Sequence, residues 1–378
     1  MPPPPESGSG SPSAGGTISL SEIDISVIVP TRNRAALLID CLGTLAAQKC
    51  HASFEVLVVD NGSGDETPRV VEEWCRGDDR IRGIREVQSG RSAAMNAGIR
   101  SARGRLLLFT DDDVLVDPGW IDAYRRLFAS KAGQFLIAGG PIVPIAQDLG
   151  PWPAWLDAEA EADLFSHLDW RGERPLFRFE HLWGANMAIP AAVFARLGPW
   201  DEALGRRGEE RGTYEDYEFQ ERVRAAGGSV WFCPSGVIRH RIDRSLVTPR
   251  RVLRATFTRG SNDYWREVWR RRTEVPRQGP GPFIREVLGL GRELVTWLLW
   301  TVRFRLQPRR ENFREAHRRA WRAAWAMELC TAARRPEWGE ARLRSGSRLD
   351  PLTRAPRTIT LLMRRMTLRV APGRPRQQ

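Results

Sequence analysis

Leu106-Leu107-Leu108-Phe109-Thr110-Asp111-Asp112-Asp113 is the stretch on which the reading of this chain turns. A run with almost no polar content has the character of a strand buried on both faces, and such strands belong to parallel sheets covered by helices. Two similar runs precede it. Ile23-Asp24-Ile25-Ser26-Val27-Ile28-Val29-Pro30 is β-branched and closed by proline, and Phe54-Glu55-Val56-Leu57-Val58-Val59 leads into the turn signal Asp60-Asn61-Gly62-Ser63-Gly64. Between them, residues 35–48 place Leu37, Leu38, Cys41, Leu42 and Leu45 at helical spacing. Helices are also predicted over 67–74 and 91–102, with a short strand at 81–84. Strand alternating with helix gives an α/β fold with a parallel sheet. Both polar clusters, 60–63 and 111–113, follow the C-terminal end of a strand, the edge at which open α/β sheets bind ligands.

Downstream, residues 134–143 and 229–234 read as strands, 190–198 and 214–226 as helices, and 148–182 as an irregular loop or subdomain over the site. From 250 onward the pattern becomes Arg- and Trp-studded helices, over 251–272, 283–306 and 311–334. The expected organisation is a disordered Pro/Gly/Ser arm (1–22), an α/β domain (23–249), a basic Trp-rich helical extension (250–344) and a basic flexible tail (345–378).

Composition excludes several classes. Of 378 residues, 42% are apolar and 28% charged, as in soluble globular proteins. The cysteines at 41, 50, 75, 233 and 330 form no CxxC pair, so neither a disulfide framework nor a cysteine zinc site is expected. The first residues lack a basic segment and an apolar core, and no run reaches bilayer length, so a cytoplasmic protein is expected. The net charge of +12 divides unevenly: residues 1–249 carry −8 and residues 250–378 carry +20, nearly all of it arginine.

Five clusters can carry chemistry, and each has a plainer reading. Asp111-Asp112-Asp113 needs a counter-charge, which Mg²⁺ or Mn²⁺ would supply; alone it could be a solvated turn or helix cap. Asp60 can accept from a nucleobase or ribose, or cap its own turn. Pro30-Thr31-Arg32-Asn33-Arg34 can meet a base and a diphosphate, or simply stop a strand. Tyr214-Glu215-Asp216-Tyr217-Glu218 opens a helix and can supply a general base, or merely favour the helix dipole. His240 can add a nitrogen ligand or be structural. No P-loop, zinc spacing or nucleophilic serine motif is present.

Taken in order, SVIVPTRNRAALL, FEVLVVDNGSGDET, RSAAMNAGIRSARGRLLLFTDDDVLVDPGWI, GANMAIPAAVFARLGPWDE and YEDYEFQERVRAAG resemble the family 2 inverting glycosyltransferases of GT-A fold, across residues 24–245. The resemblance implies a mostly parallel sheet flanked by helices and transfer of a sugar from a nucleotide-diphosphate donor to a glycan or lipid-linked acceptor in cell-envelope or exopolysaccharide synthesis. It implies Pro30, Thr31, Arg32, Asp60, Asn96, Asp111 and Asp112 at the donor, with Arg91 approaching it. It further implies Asp111, Asp113 and His240 at a Mg²⁺ or Mn²⁺ ion, and Trp183, Gly184, Asn186 and Glu215 in the acceptor region. Asp216 would be the base. The triple aspartate leaves open which two carboxylates work, and no QxxRW-type signature of processive members is present.

The basic extension carries seven of the fifteen tryptophans at or after residue 265. Basic helices with Trp-rich faces suit an anionic membrane surface, or else pack on the catalytic domain with their arginines solvated. Peripheral attachment at the inner face of the cell membrane is the corresponding expectation. The rival readings are a binding-only domain of the same fold, a sugar nucleotidyltransferase, which would need a Gly-rich loop in place of PTRNR, and a nucleic-acid-binding protein. The last lacks any supporting motif, so no nucleic-acid partner is expected.

Overall fold

The structure is a computed structural model. It describes residues 25–146, 152–156, 165, 167–177, 180–202, 204, 215–257, 260, 280–307 and 309–334. The expected N-terminal arm, the tail beyond 344, Tyr214, Trp265, Trp269 and much of the predicted helix over 251–272 lie outside the described residues.

The apolar runs form strands where predicted: β1 (Ile25–Thr31), β2 (Phe54–Asp60), β3 (Ile81–Arg85) and β4 (Leu106–Thr110). Helices α1 (Ala35–Ala46), α2 (Thr67–Gly77) and α3 (Arg91–Ser101) connect them. β5 (Val114–Val116) and α4 (Trp120–Ser130) follow. The apolar run at 134–143 is two strands, β6 (Leu136–Gly139) and β7 (Ile142–Ala146), because Gly140-Pro141 breaks it. A Cβ at Gly140 would sit 2.3 Å from the Gly236 carbonyl oxygen, so glycine is required at that crossing. After β8 (Arg174–Pro175) come β9 (Asn186–Pro190), α5 (Ala191–Leu197), α6 (Glu215–Ala225), β10 (Ser229–Phe232) and β11 (Ile238–Ile242). A helical segment at 249–257 precedes two long helices, α7 (Pro280–Leu306) and α8 (Arg310–Arg334).

The main sheet has eight strands in the order β3-β2-β1-β4-β9-β6-β10-β8. β9 and β8 run against the other six, so the sheet is mostly parallel, flanked by helices as the GT-A resemblance implied. Register aligns Thr31 with Asp60 and Thr110 with Asn186. The ends of β2, β1 and β4 and the start of β9 therefore share one edge. A smaller sheet, β5-β11-β7, brings His240 opposite Val114, next to the aspartates.

Two apolar cores are distinct. The larger lies around the main sheet and includes Val27, Leu42, Val58, Leu108, Trp120 and Phe219. The second joins α7 and α8 through Trp297, Phe304, Phe313 and Ala320, and takes in Leu156, Phe165, Val247 and Phe257. It therefore begins before residue 250 and includes part of the 148–182 segment.

Candidate active site

The site is the rim where β1, β2 and β4 end and β9 begins. An aromatic cluster fixes α6 there: Phe219 packs on Trp200 (4.6 Å between ring centroids) and Phe194 (4.9 Å), and both of those rings pack on Phe109 of β4. The Gln220 side chain exchanges hydrogen bonds with the amide and carbonyl of Leu182, tying the segment before β9 to α6. Gly184 then donates its amide to Asp216 Oδ2 at 3.0 Å, while Tyr217 donates its own to Asp216 Oδ1 at 2.7 Å.

Asp216 is buried and flanked by Glu215. Burial, reinforced by the Glu215 charge, raises its carboxyl to about 7, against the two amides and Arg91. Helix position alone would have lowered it, so desolvation outweighs the first-turn effect.

Arg91 ties the two halves of the rim together. Its guanidinium donates to Asp111 Oδ1 (2.7 and 3.2 Å) and to Glu215 Oε1 (3.2 Å). A Cβ on Gly184 would stand 3.0 Å from the same guanidinium, so that backbone lies close against it and a side chain there would press on it.

The aspartates divide by environment. Asp112 turns inward and accepts from Thr31 Oγ1 (2.8 Å) and Arg34 (3.0 Å). Burial pushes its carboxyl up to about 7 even though Arg34 opposes the shift. Asp113 also pairs with Arg34, and its Oδ1 lies 3.4 Å from His240 Nε2. Burial works against ionisation, but His240 and Arg34 together hold the Asp113 carboxyl well below its ordinary range. Burial alone would depress His240, and Asp113 more than offsets this, raising it. The counter-charge that the triple aspartate demands is thus supplied in part by Arg34, a side chain that sequence reasoning left inside a general basic motif.

A cation fits this corner in part. Asp113 Oδ1 is buried without a hydrogen-bond donor, and His240 Nε2 faces it. Asp111 is engaged by Arg91 instead, and among the described residues no group of three or more His, Cys, Asp or Glu side chains converges. The expected trio of Asp111, Asp113 and His240 is therefore a pair plus a neighbour, and further ligands would have to come from substrate and water.

The remaining predicted residues fall at varied places. Asp60 reaches the rim but accepts from Ser63 N (2.9 Å), the turn-capping role. Arg32 is exposed and donates to Ser89 Oγ (2.8 Å). Pro30 lies on β1 opposite Val59. Asn33 adopts φ 53°, the left-handed region that asparagine tolerates; its side chain accepts from Gly64 N and its amide donates to Ser63 Oγ, lacing the loops after β1 and β2 together. Trp183 is half-buried at the start of the β9 approach. Asn96 is buried and its side-chain amide bonds Trp200 and Glu202. Asn186 is buried too, accepting from Trp120 and Tyr124 and donating to the Pro141 and Gly236 carbonyls, so its side chain ties β9 to the neighbouring elements.

Comparison with known proteins agrees with this architecture. Residues 26–153 match the family described as Glycosyl transferase family 2. Validoxylamine A glucosyltransferase of Streptomyces hygroscopicus subsp. jinggangensis is 32% identical over 226 residues, covering 54% of this chain and 52% of that protein. The hyaluronan synthase of Pasteurella multocida is 36% identical over 104 residues, 27% of this chain and 11% of that one. This chain spans about half the length of the first of these relatives. Among solved structures, a mannosyltransferase from Pyrobaculum calidifontis, in complex with GDP-Man and Mn²⁺, aligns over 91% of this chain and 79% of its own, at 17% identity and a TM-score of 0.45. Over residues 26–153 the chain is thus similar to the family 2 glycosyltransferases.

Proposed function

We propose that this chain is an inverting glycosyltransferase, moving a sugar from a nucleoside-diphosphate donor to a hydroxyl of a glycan or lipid-linked acceptor in cell-envelope or exopolysaccharide synthesis. The observation that supports it is the single rim on which Arg91 couples Asp111 to Glu215, beside Asp216, with Asp113 two residues on from Asp111 and paired with Arg34 and His240. Pro30, Thr31, Arg32 and Asp60 border the nucleoside side of that rim. Trp183, Gly184 and Glu215 border the acceptor side. An anionic membrane surface is where a lipid-linked acceptor would be met.

Asp216 is the base of this reading. A carboxylate raised to about 7 is ionised in useful proportion near neutrality and is a stronger proton acceptor than an ordinary aspartate. It takes the proton of the acceptor hydroxyl as that oxygen bonds to the anomeric carbon. The bond from that carbon to the diphosphate breaks in line, so configuration inverts and no enzyme-bound sugar forms. Asp113 and His240 would hold Mg²⁺ or Mn²⁺. Such an ion, when bound, neutralises charge on the departing diphosphate.

The test is transfer from a panel of nucleotide sugars with Mn²⁺, comparing wild type with Asp216→Asn. The expected result is a loss of about 10³-fold or more in turnover, with donor affinity by calorimetry within about twofold. Transfer by the variant near the wild-type rate would remove Asp216 from the role.

A further inference from the structure

Helix α7 has two apolar faces. One carries Trp297, Thr301 and Phe304, buried in the second core. The other carries Leu288, Val295, Leu299, Val302 and Leu306, between 42% and 78% exposed. At the α-helical turn angle these five fall within an arc of about 60°. A single exposed leucine needs no explanation, but five in one stripe along nearly twenty residues do.

Charge decides what covers the stripe. Arg292, whose side chain is 79% exposed, and Arg303 lie just beyond one edge, and Arg305 beyond the other. Arg303 stacks over the Trp300 ring at 4.9 Å, which places an aromatic beside the cation. Glu293 lies toward the opposite side, where it pairs with Arg319 of α8 at 3.2 Å and more distantly with Arg292 at 3.5 Å. Exposed Arg314, Arg318 and Arg322 line α8 at one-turn spacing. A second copy of this face would bring Arg303 and Arg305 against their own counterparts. Anionic headgroups meet these cations instead, while the apolar stripe enters the acyl boundary.

We propose that the Leu288–Leu306 face of α7 is a membrane-docking surface for anionic lipid, lying in the interface plane. No helix among the described residues is long and apolar enough to cross a bilayer, so the contact is lateral. The inference does not depend on the sugar chemistry proposed above.

The test is cosedimentation of the full chain with vesicles of phosphatidylcholine alone or mixed with phosphatidylglycerol. Binding is expected with the anionic vesicles, at least about tenfold weaker with neutral ones and weakened by salt. The triple variant Leu299→Gln, Val302→Ser, Leu306→Gln should lose binding while keeping the wild-type melting curve. Arg292→Gln with Arg303→Gln, which leaves the apolar stripe intact, should cut anionic binding about tenfold or more. Absence of wild-type binding to anionic vesicles would overturn the proposal. So would wild-type binding by both variants, or a wild-type dimer in ultracentrifugation that the triple variant dissociates.

Discussion

Asp216 and Arg91 show how single side chains set the chemistry of this rim. Because the folded Asp216 carboxyl is raised to about 7, the acid limb of kcat/KM should fall near that pH, with activity lost below it. The sign for stability follows from the same shift. The folded protein holds this proton where the unfolded chain has released it, so the stabilising contribution is complete below about pH 4 and is lost as pH rises to about 7. Asp216→Asn should therefore melt higher than wild type, by about 3 °C or more, above pH 7 and show less gain near pH 4; the reverse order in calorimetry would contradict the raised carboxyl. Asp112, raised by burial as well, adds to the same trend in wild type. Arg91→Gln leaves Asp111 and Glu215 without their shared cation, and a loss of about 3 kcal/mol in chemical denaturation is expected. Arg91→Lys should recover less than half of that, because an ammonium cannot hold both carboxylates with the guanidinium's fork.

Elements position these side chains through close contacts that tolerate little change. A Cβ at Gly98 would come 2.5 Å from Ile28 Cγ2, so α3, which begins at Arg91, lies directly on β1, which ends at Thr31. Gly98→Ala should destabilise by about 1–3 kcal/mol and lower turnover together, measured by urea melts and initial rates. The sequence made β1, β2, β4 and α3 legible because each is a local pattern, an apolar run or a 3.6-residue stripe closed by a turn signal. It concealed β5, β9 and β11: each is at most five residues, and their strand character comes from partners far along the chain. Helix α4 was not among the expected elements, although Trp120, Ile121, Ala123, Tyr124 and Leu127 recur helically. The site residues were legible as motifs, but their division of labour was not. The hydrogen bonds of Asn96 to Trp200 and of Asn186 to Trp120 and Tyr124 join residues 62–104 positions apart, which no local pattern displays. Arg34 emerged as the partner of Asp112 and Asp113 because the β1 and β4 ends are adjacent in space, although nearly eighty residues apart.

The whole molecule is built around two cores, and they should respond separately to injury. Phe313 is fully buried between Trp155 and Phe304, in the core that α7 and α8 share. Phe313→Ala should cost about 3–5 kcal/mol in the protection of α7 and α8 amides by hydrogen exchange, with β1 and β4 unaffected. Equal loss of protection in both regions would mean that they unfold as one unit.

β9 enters the middle of the main sheet in reverse, between β4 and β6. During synthesis, the ribosome delivers β1 to β4 some eighty residues before it delivers their neighbour. A nascent chain can pair those first strands early, yet it holds no Gly184 amide, no Glu215 and no Asp216 until the reversed strand and α6 emerge. The rim is therefore completed late in the life of each molecule, and a release factor acting too soon would yield half a sheet with three aspartates and no facing carboxylates.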